Sequence, residues 1–190
     1  MAHGSKAMTG TAAVHEACRS IERMLGDSPA YRKIEDGLYC IKQGSTLVMI
    51  SVHPWGNRAV VRLAAQLVKG VSMEVPLALE LLETNALLRF GAFAYVPAGE
   101  VVIFAHTLLD RDLGDREEFL GTIRDFALVA DDYDDRIAAR YGGQTMQDLL
   151  EESVVEHLRR GHRVSLDSDS DSDLDSDSDS DDERSARDLT

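Results

Sequence analysis

Cysteine is scarce in this chain: Cys18 and Cys40 are the only two in 190 residues. They read as buried free thiols of a reducing cytoplasm, Cys18 in a helix and Cys40 in a strand, both on core faces. A single disulfide between them stays open at this stage. No apolar run approaches the roughly 20 residues that cross a bilayer, so a membrane partner is not expected. Met1 to Gly10 is small and polar around a single Lys6. Without an apolar signal core, residues 1–10 read as a flexible leader, and the expected location is cytoplasmic.

Cations are also few, 20 Lys and Arg against 34 Asp and Glu, for a net charge of −14. Of this, −9 lies from Asp167 onward, leaving −5 for everything before it. Phosphate binding needs clustered Lys and Arg, so nucleic acid is not expected as a partner.

Catalytic signatures are missing as well. There is no G-x-S-x-G elbow, no G-x-x-x-x-G-K phosphate loop and no G-x-G-x-x-G turn. The histidines at 3, 15, 53, 106, 157 and 162 never fall as H-x-H or H-x-x-x-H, and no C-x-x-C is present for zinc. His53 and His106 fall on expected strands, where a hydrogen-bonded side chain is the plainer reading than a metal ligand. Asp110-Arg111-Asp112-Leu113-Gly114-Asp115 resembles a calcium loop only superficially, because Gly121 stands where the twelfth-position Glu is needed. It reads better as the acidic start of a helix. Asp131-Asp132-Tyr133-Asp134-Asp135 is expected to fan its carboxylates over a solvated helix face, partly neutralised by Arg136 and Arg140. No cofactor and no metal are expected, and any enzymatic pocket would have to draw on residues such as His53, His106 and Asp110.

What the sequence does contain is a one-domain pattern, with 44% apolar residues. A helix is expected from about Thr11 to Gly26, on the stripe Val14, Ala17, Cys18, Ile21, Met24 and Leu25. Three strands follow, Leu38 to Lys42, Thr46 to His53 and Arg58 to Leu67, joined by Gln43-Gly44-Ser45 and Pro54-Trp55-Gly56-Asn57. Their short connections make an antiparallel meander. A second helix opens at Val75-Pro76, with Pro at the favoured first position. The hairpin Phe90–Val96 and Val101–Leu108 turns at Pro97-Ala98-Gly99. A third helix starts at Asp115 and carries Phe119, Ile123, Phe126, Ala130, Tyr133, Ile137 and Tyr141 to Gly142-Gly143, and a shorter one is expected from about Thr145 to Arg159.

The central strands are apolar on both sides. Leu47 and Met49 oppose Val48 and Ile50, and Val61 and Leu63 oppose Val60. Such a sheet is either covered twice by its own helices or offers a face to a partner. Leu47, Val48, Met49, Ile50, Val60, Val61 and Leu63 are therefore the candidate partner-binding residues. Residues 161–190 change character to Asp-Ser repeats, with Asp167, Asp169, Asp171, Asp173 and Asp175 as the candidate acidic contacts. A disordered tail is expected there, because it has too little apolar surface to offset its ordering entropy. Solubilisation, attraction of basic partners and serine phosphorylation are all open for it.

The segment Leu82-Glu83-Thr84-Asn85-Ala86-Leu87-Leu88-Arg89-Phe90-Gly91-Ala92-Phe93, the hairpin at Gly99-Glu100-Val101-Val102 and Ala130-Asp131 resemble the YbjN family, within the type III secretion chaperone-like (CesT-like) fold. The resemblance covers roughly Tyr31 to Gln147. It implies an α+β fold, α-βββ-α-ββ-α, with an antiparallel sheet packed against helices, here over residues 11–160 between the leader and the acidic tail. It also implies a homodimeric chaperone or adaptor that holds a protein client or peptide segment, and no catalytic residue. The alternative is a regulatory or structural domain of the same family that binds no peptide. The low pI favours a basic or aggregation-prone client.

Overall fold

A computed structural model describes residues 10–156. Internal contacts divide the chain into units 1–151 and 152–190, and of the second only residues 152–156, all helical, are described. The leader residues 1–9, the tail from 161 and the tail aspartates Asp167, Asp169, Asp171, Asp173 and Asp175 lie outside the described residues.

The elements run α1 (Gly10–Leu25), β1 (Tyr31–Glu35), β2 (Leu38–Gln43), β3 (Thr46–Trp55), β4 (Arg58–Lys69), α2 (Val75–Leu87), β5 (Ala92–Val96), β6 (Val101–Leu109), a 3₁₀ turn (Asp110–Gly114), α3 (Arg116–Tyr141) and β7 (Gln144–Thr145). Residues 146–156 form a further helix, α4. The strands make one antiparallel sheet in the order β1-β2-β3-β4-β6-β5. β7 pairs with Val68 and Lys69 at the far end of β4. The α+β architecture expected from sequence is present, with two strands more than the pattern showed.

β1 escaped the sequence reading because Arg32, Lys33, Ile34 and Glu35 are all exposed, so the strand has no apolar alternation to display. Its order comes from pairing with β2, Tyr31 opposite Ile41 and Lys33 opposite Tyr39. Charged residues on an edge strand also discourage unwanted pairing.

Alternate residues of each central strand are buried: Thr46, Val48, Ile50 and Val52 on β3, and Ala59, Val61, Leu63, Ala65 and Leu67 on β4. α1 and α3 pack against this side. Ala17, Ile21 and Leu25 come from α1, and Phe119, Ile123, Phe126, Ala130 and Ile137 from α3. Phe104 of β6 is the aromatic hub, stacked on Phe126 at 4.6 Å and tilted against Phe93 at 4.9 Å. Gly91 (φ 71°) lets the chain enter β5 over this ring, since a Cβ there would lie 2.6 Å from Phe104.

Two polar devices tie the helices to the frame. Arg116 Nη1 donates to the Met24 carbonyl at 2.9 Å, joining the start of α3 to the end of α1. Glu80 of α2 accepts from Arg140 Nη1 (2.8 Å) and the Tyr141 hydroxyl (2.7 Å) at the end of α3. At the start of α3, Asp115 caps the helix by accepting from the Glu117 and Glu118 amides at 2.9 and 3.1 Å. Asp115→Ala leaves those amides without their partner and is expected to cost about 1 kcal/mol. A thermal melt should show the midpoint falling by about 2–4 °C.

Candidate functional site

The strand register sorts the sequence candidates by face. Val48, Ile50, Val61 and Leu63 are fully buried under the helices. Leu47, Met49 and Val60 project from the opposite side and are partly exposed. The seven residues therefore do not form one surface: four are core and three belong to a second face. Among the described residues, no side chain that the strands project on this second face is fully buried, and α1 and α3 pack on the other side.

Cross-strand pairing sets the content of the second face. One row runs Arg32, Cys40, Met49, Ala64, Ala105, Ala92 across the sheet. A second runs Leu38, Ser51, Arg62, Thr107. Lys42 sits opposite Leu47, and Ile103 joins Gln66 to Ala94. The alanines keep the β4-β6-β5 half low, while Leu47 and Met49 stand above it. Cys40 thus lies on this face and not in the core, whereas Cys18 lies on α1 beneath the other side, its Sγ 3.8 Å from where a Gly37 Cβ would sit. Both thiols are free, and the sheet between them rules out the disulfide.

The two sheet edges differ. On the β5 edge, Asn85 of α2 accepts from the Phe93 amide at 2.7 Å and donates to its carbonyl at 3.2 Å. One side chain so occupies both outward groups of that residue, as a neighbouring strand would. Among the described residues, no strand pairs with the outer edge of β1.

Among the described residues, His53, His106 and Asp110 do not come together in one site. His53, on the open face, shares a hydrogen bond with the Ser51 hydroxyl at 2.9 Å. His106 is on the helix-covered side, where its Nδ1 accepts from the Gly91 amide at 3.1 Å and its ring lies 5.4 Å from that of Phe90. Burial lowers its pKa and keeps it a neutral acceptor, against a smaller opposite pull from Asp112. Asp110 accepts from Arg58 Nε at 2.9 Å and from the Ala59 amide at 3.2 Å. Partial burial pushes its carboxyl up, but these bonds outweigh it and the net direction is down. Both histidines are thus satisfied by hydrogen bonds, and they do not converge with Asp110. A groove of about 600 Å³ at the start of α3 is lined by Arg116, Glu117, Leu120, Gly121 and Arg124, without a nucleophile or histidine. No cluster of three metal-ligating side chains exists among the described residues.

The acidic run of α3 does differ from its sequence reading. Asp131 and Asp134 turn inward onto the β2–β3 turn. Asp131 Oδ1 accepts from the Ser45 amide (2.9 Å) and hydroxyl (3.0 Å). Asp134 Oδ2 accepts from the Ser45 hydroxyl (3.1 Å) and from the buried Thr46 hydroxyl. Gly44 (φ 53°) makes the approach possible, because a Cβ there would collide with the Asp131 carboxylate. Burial raises the Asp134 pKa, more than the hydroxyl and amide donors lower it. A Ser-Thr pair following a turn glycine was the available signal, yet nothing in sequence says which helix meets that turn.

Fold and face together define an α+β module, with one sheet face packed by helices and the other bare among the described residues. The chain belongs to the TY-Chap1 family, T3SS (YopN, CesT) and YbjN peptide-binding chaperone 1, whose model matches residues 13–149. The match takes in α1 as well as the segment from Tyr31 on which the resemblance rested. No curated protein matches the chain. Among the described residues, no helix is long and apolar enough to cross a membrane.

Proposed function

We propose that this protein is a non-enzymatic chaperone or adaptor that holds an extended segment of a client protein on the bare sheet face. The observation that carries this is the partial exposure of Leu47, Met49 and Val60 opposite the helix-packed side. Peptide-binding membership of the family supports it. The outer edge of β1 lies beside that face, so strand addition and side-chain contact can act together. Capture from cell extract with wild type and with Met49→Asp tests the reading. A client retained by wild type and lost by the folded variant bears it out. Equal capture by both assigns the chain to the alternative, a domain that holds no segment there.

The same reading includes a homodimer, supported by α2. Its outer side exposes Val75, Leu79 and Leu82 (72, 53 and 64% exposed), one stripe at helical spacing. Contiguous exposed apolar surface of this kind marks association sites. Leu82→Glu is expected to convert a dimer to a monomer in light scattering without loss of helical signal. A wild-type monomer at micromolar concentration overturns the dimer.

A further inference from the structure

The cations of the described residues are unevenly distributed. The register places Arg32, Lys42, Arg62 and Lys69 on the bare face. Glu35, opposite Leu38 on the outermost strand, is the one carboxylate the strand register adds to it among the described residues. None of those four cations makes an ion pair among the described residues. Arg58, opposite Trp55 at the end of the same face, meets Asp110, and off the face Lys33 meets Glu22 and Asp36, Arg136 meets Asp132 and Arg140 meets Glu80, whereas Arg23 and Arg116 are held by a hydroxyl and a carbonyl. Within a chain of net charge −14, one face is thus cationic among the described residues, with Arg32, Lys42, Arg62 and Lys69 in no ion pair there. Unpaired cations border its apolar centre, since Lys42 lies across from Leu47 and Arg62 across from Ser51, two residues along the strand from Met49.

We propose that the bare face selects client segments that combine apolar side chains with carboxylates, a specificity that rests on the client-holding role above. Side chains of an extended segment alternate, so those on one side recur about every 6.8 Å. Apolar residues then meet Leu47 and Met49 while carboxylates reach Lys42 and Arg62. The overall negative charge points to a basic client, but charge at the contact decides partner choice, because like charges brought together are repelled. A Lys-rich segment is rejected at the face even though the whole chain attracts it from a distance.

The test uses the full chain and two synthetic peptides of about ten residues, the length of a long strand, one repeating Val-Ser-Glu-Ser and one Val-Ser-Lys-Ser, so that Val and the charge share one side of the extended chain (the Val-Glu and Val-Lys peptides). Trp55 is the only tryptophan, lies on the face side of β3 by register and is 59% exposed, so its emission reports occupancy. Saturable binding of the Val-Glu peptide is expected, about tenfold tighter than Val-Lys, as two or three exposed ion pairs would give. It should weaken with added salt. The Lys42→Glu/Arg62→Glu variant should keep its circular dichroism and reverse the preference. Equal or tighter binding of Val-Lys, or Val-Glu binding indifferent to the double reversal, overturns the charge selectivity. If binding of both peptides is equal and is abolished by Met49→Asp, the client-holding role survives without it. If neither peptide binds, both ideas are overturned. A change in mass on the double reversal identifies the face as a contact between copies, and also overturns the proposal.

Discussion

Ile50→Asp is expected to abolish the folded state, while Met49→Asp, one residue earlier on the same strand, leaves it intact. Ile50 is fully buried between α1, α3 and the sheet, in register with Leu63, itself fully buried. Its replacement removes a packed side chain and places an acid where no donor is at hand. Loss of the packing alone costs about 2–5 kcal/mol, and the buried polar group adds about 1–3 kcal/mol. Typical domains have only about 5–15 kcal/mol in total. Met49 projects from the bare face, partly exposed, so its substitution should stay within roughly 1 kcal/mol. Urea unfolding followed by circular dichroism reads both. Similar midpoints for the two variants would show that the helices do not discriminate the faces, and the proposed site would fall with that assignment. The contrast also makes Met49→Asp usable in the capture experiment, whereas Val48 and Ile50 are unusable because any lost binding would report unfolding.

The second large effect is expected at Asp134. Asp134→Ala strands the Thr46 hydroxyl, which is fully buried, and removes one acceptor of Ser45. Removing one partner of a buried polar network costs the desolvation of what remains, about 2–4 kcal/mol here. Asp131→Ala, on the more exposed turn of the same latch, should cost about 1 kcal/mol. A pH series adds an independent check. The Asp134 pKa is raised above its ordinary 3.8 by burial. A carboxyl raised on folding contributes stability that is complete below pH 3.8 and is lost as pH rises through the folded value. The stability difference between wild type and Asp134→Asn should therefore move in favour of the variant from about pH 4 upward, then level off. Parallel stability curves across that range would show that the carboxyl is not desolvated.

Much of the fold was legible because its signals are local. The α1 stripe, the turns at Gly44 and Gly56, Pro76 at the start of α2 and the long stripe of α3 each state a period or a stop. The α3 stripe even named its core members, apart from Ala127 and from Asp134, which occupies a buried position by satisfying two hydroxyls from a distant turn. β1 was not legible, since its order is supplied by β2 and its own residues are those of a solvated edge. Neither was the edge role of Asn85, which pairs with Phe93 across the helix-to-strand turn.

The candidate site was legible only as far as alternation reaches. A two-residue period determines that Leu47 and Met49 share one side and Val48 and Ile50 the other, from the chain alone. It is silent on which side receives the helices, because both sides are apolar and the period is the same read from either. That choice was made by tertiary structure, where α1 and α3 stack on the side of Val48, Ile50, Val61 and Leu63. The same packing left Arg32, Lys42 and Arg62 together on the other side, a charge pattern assembled from three strands that no stretch of sequence contains.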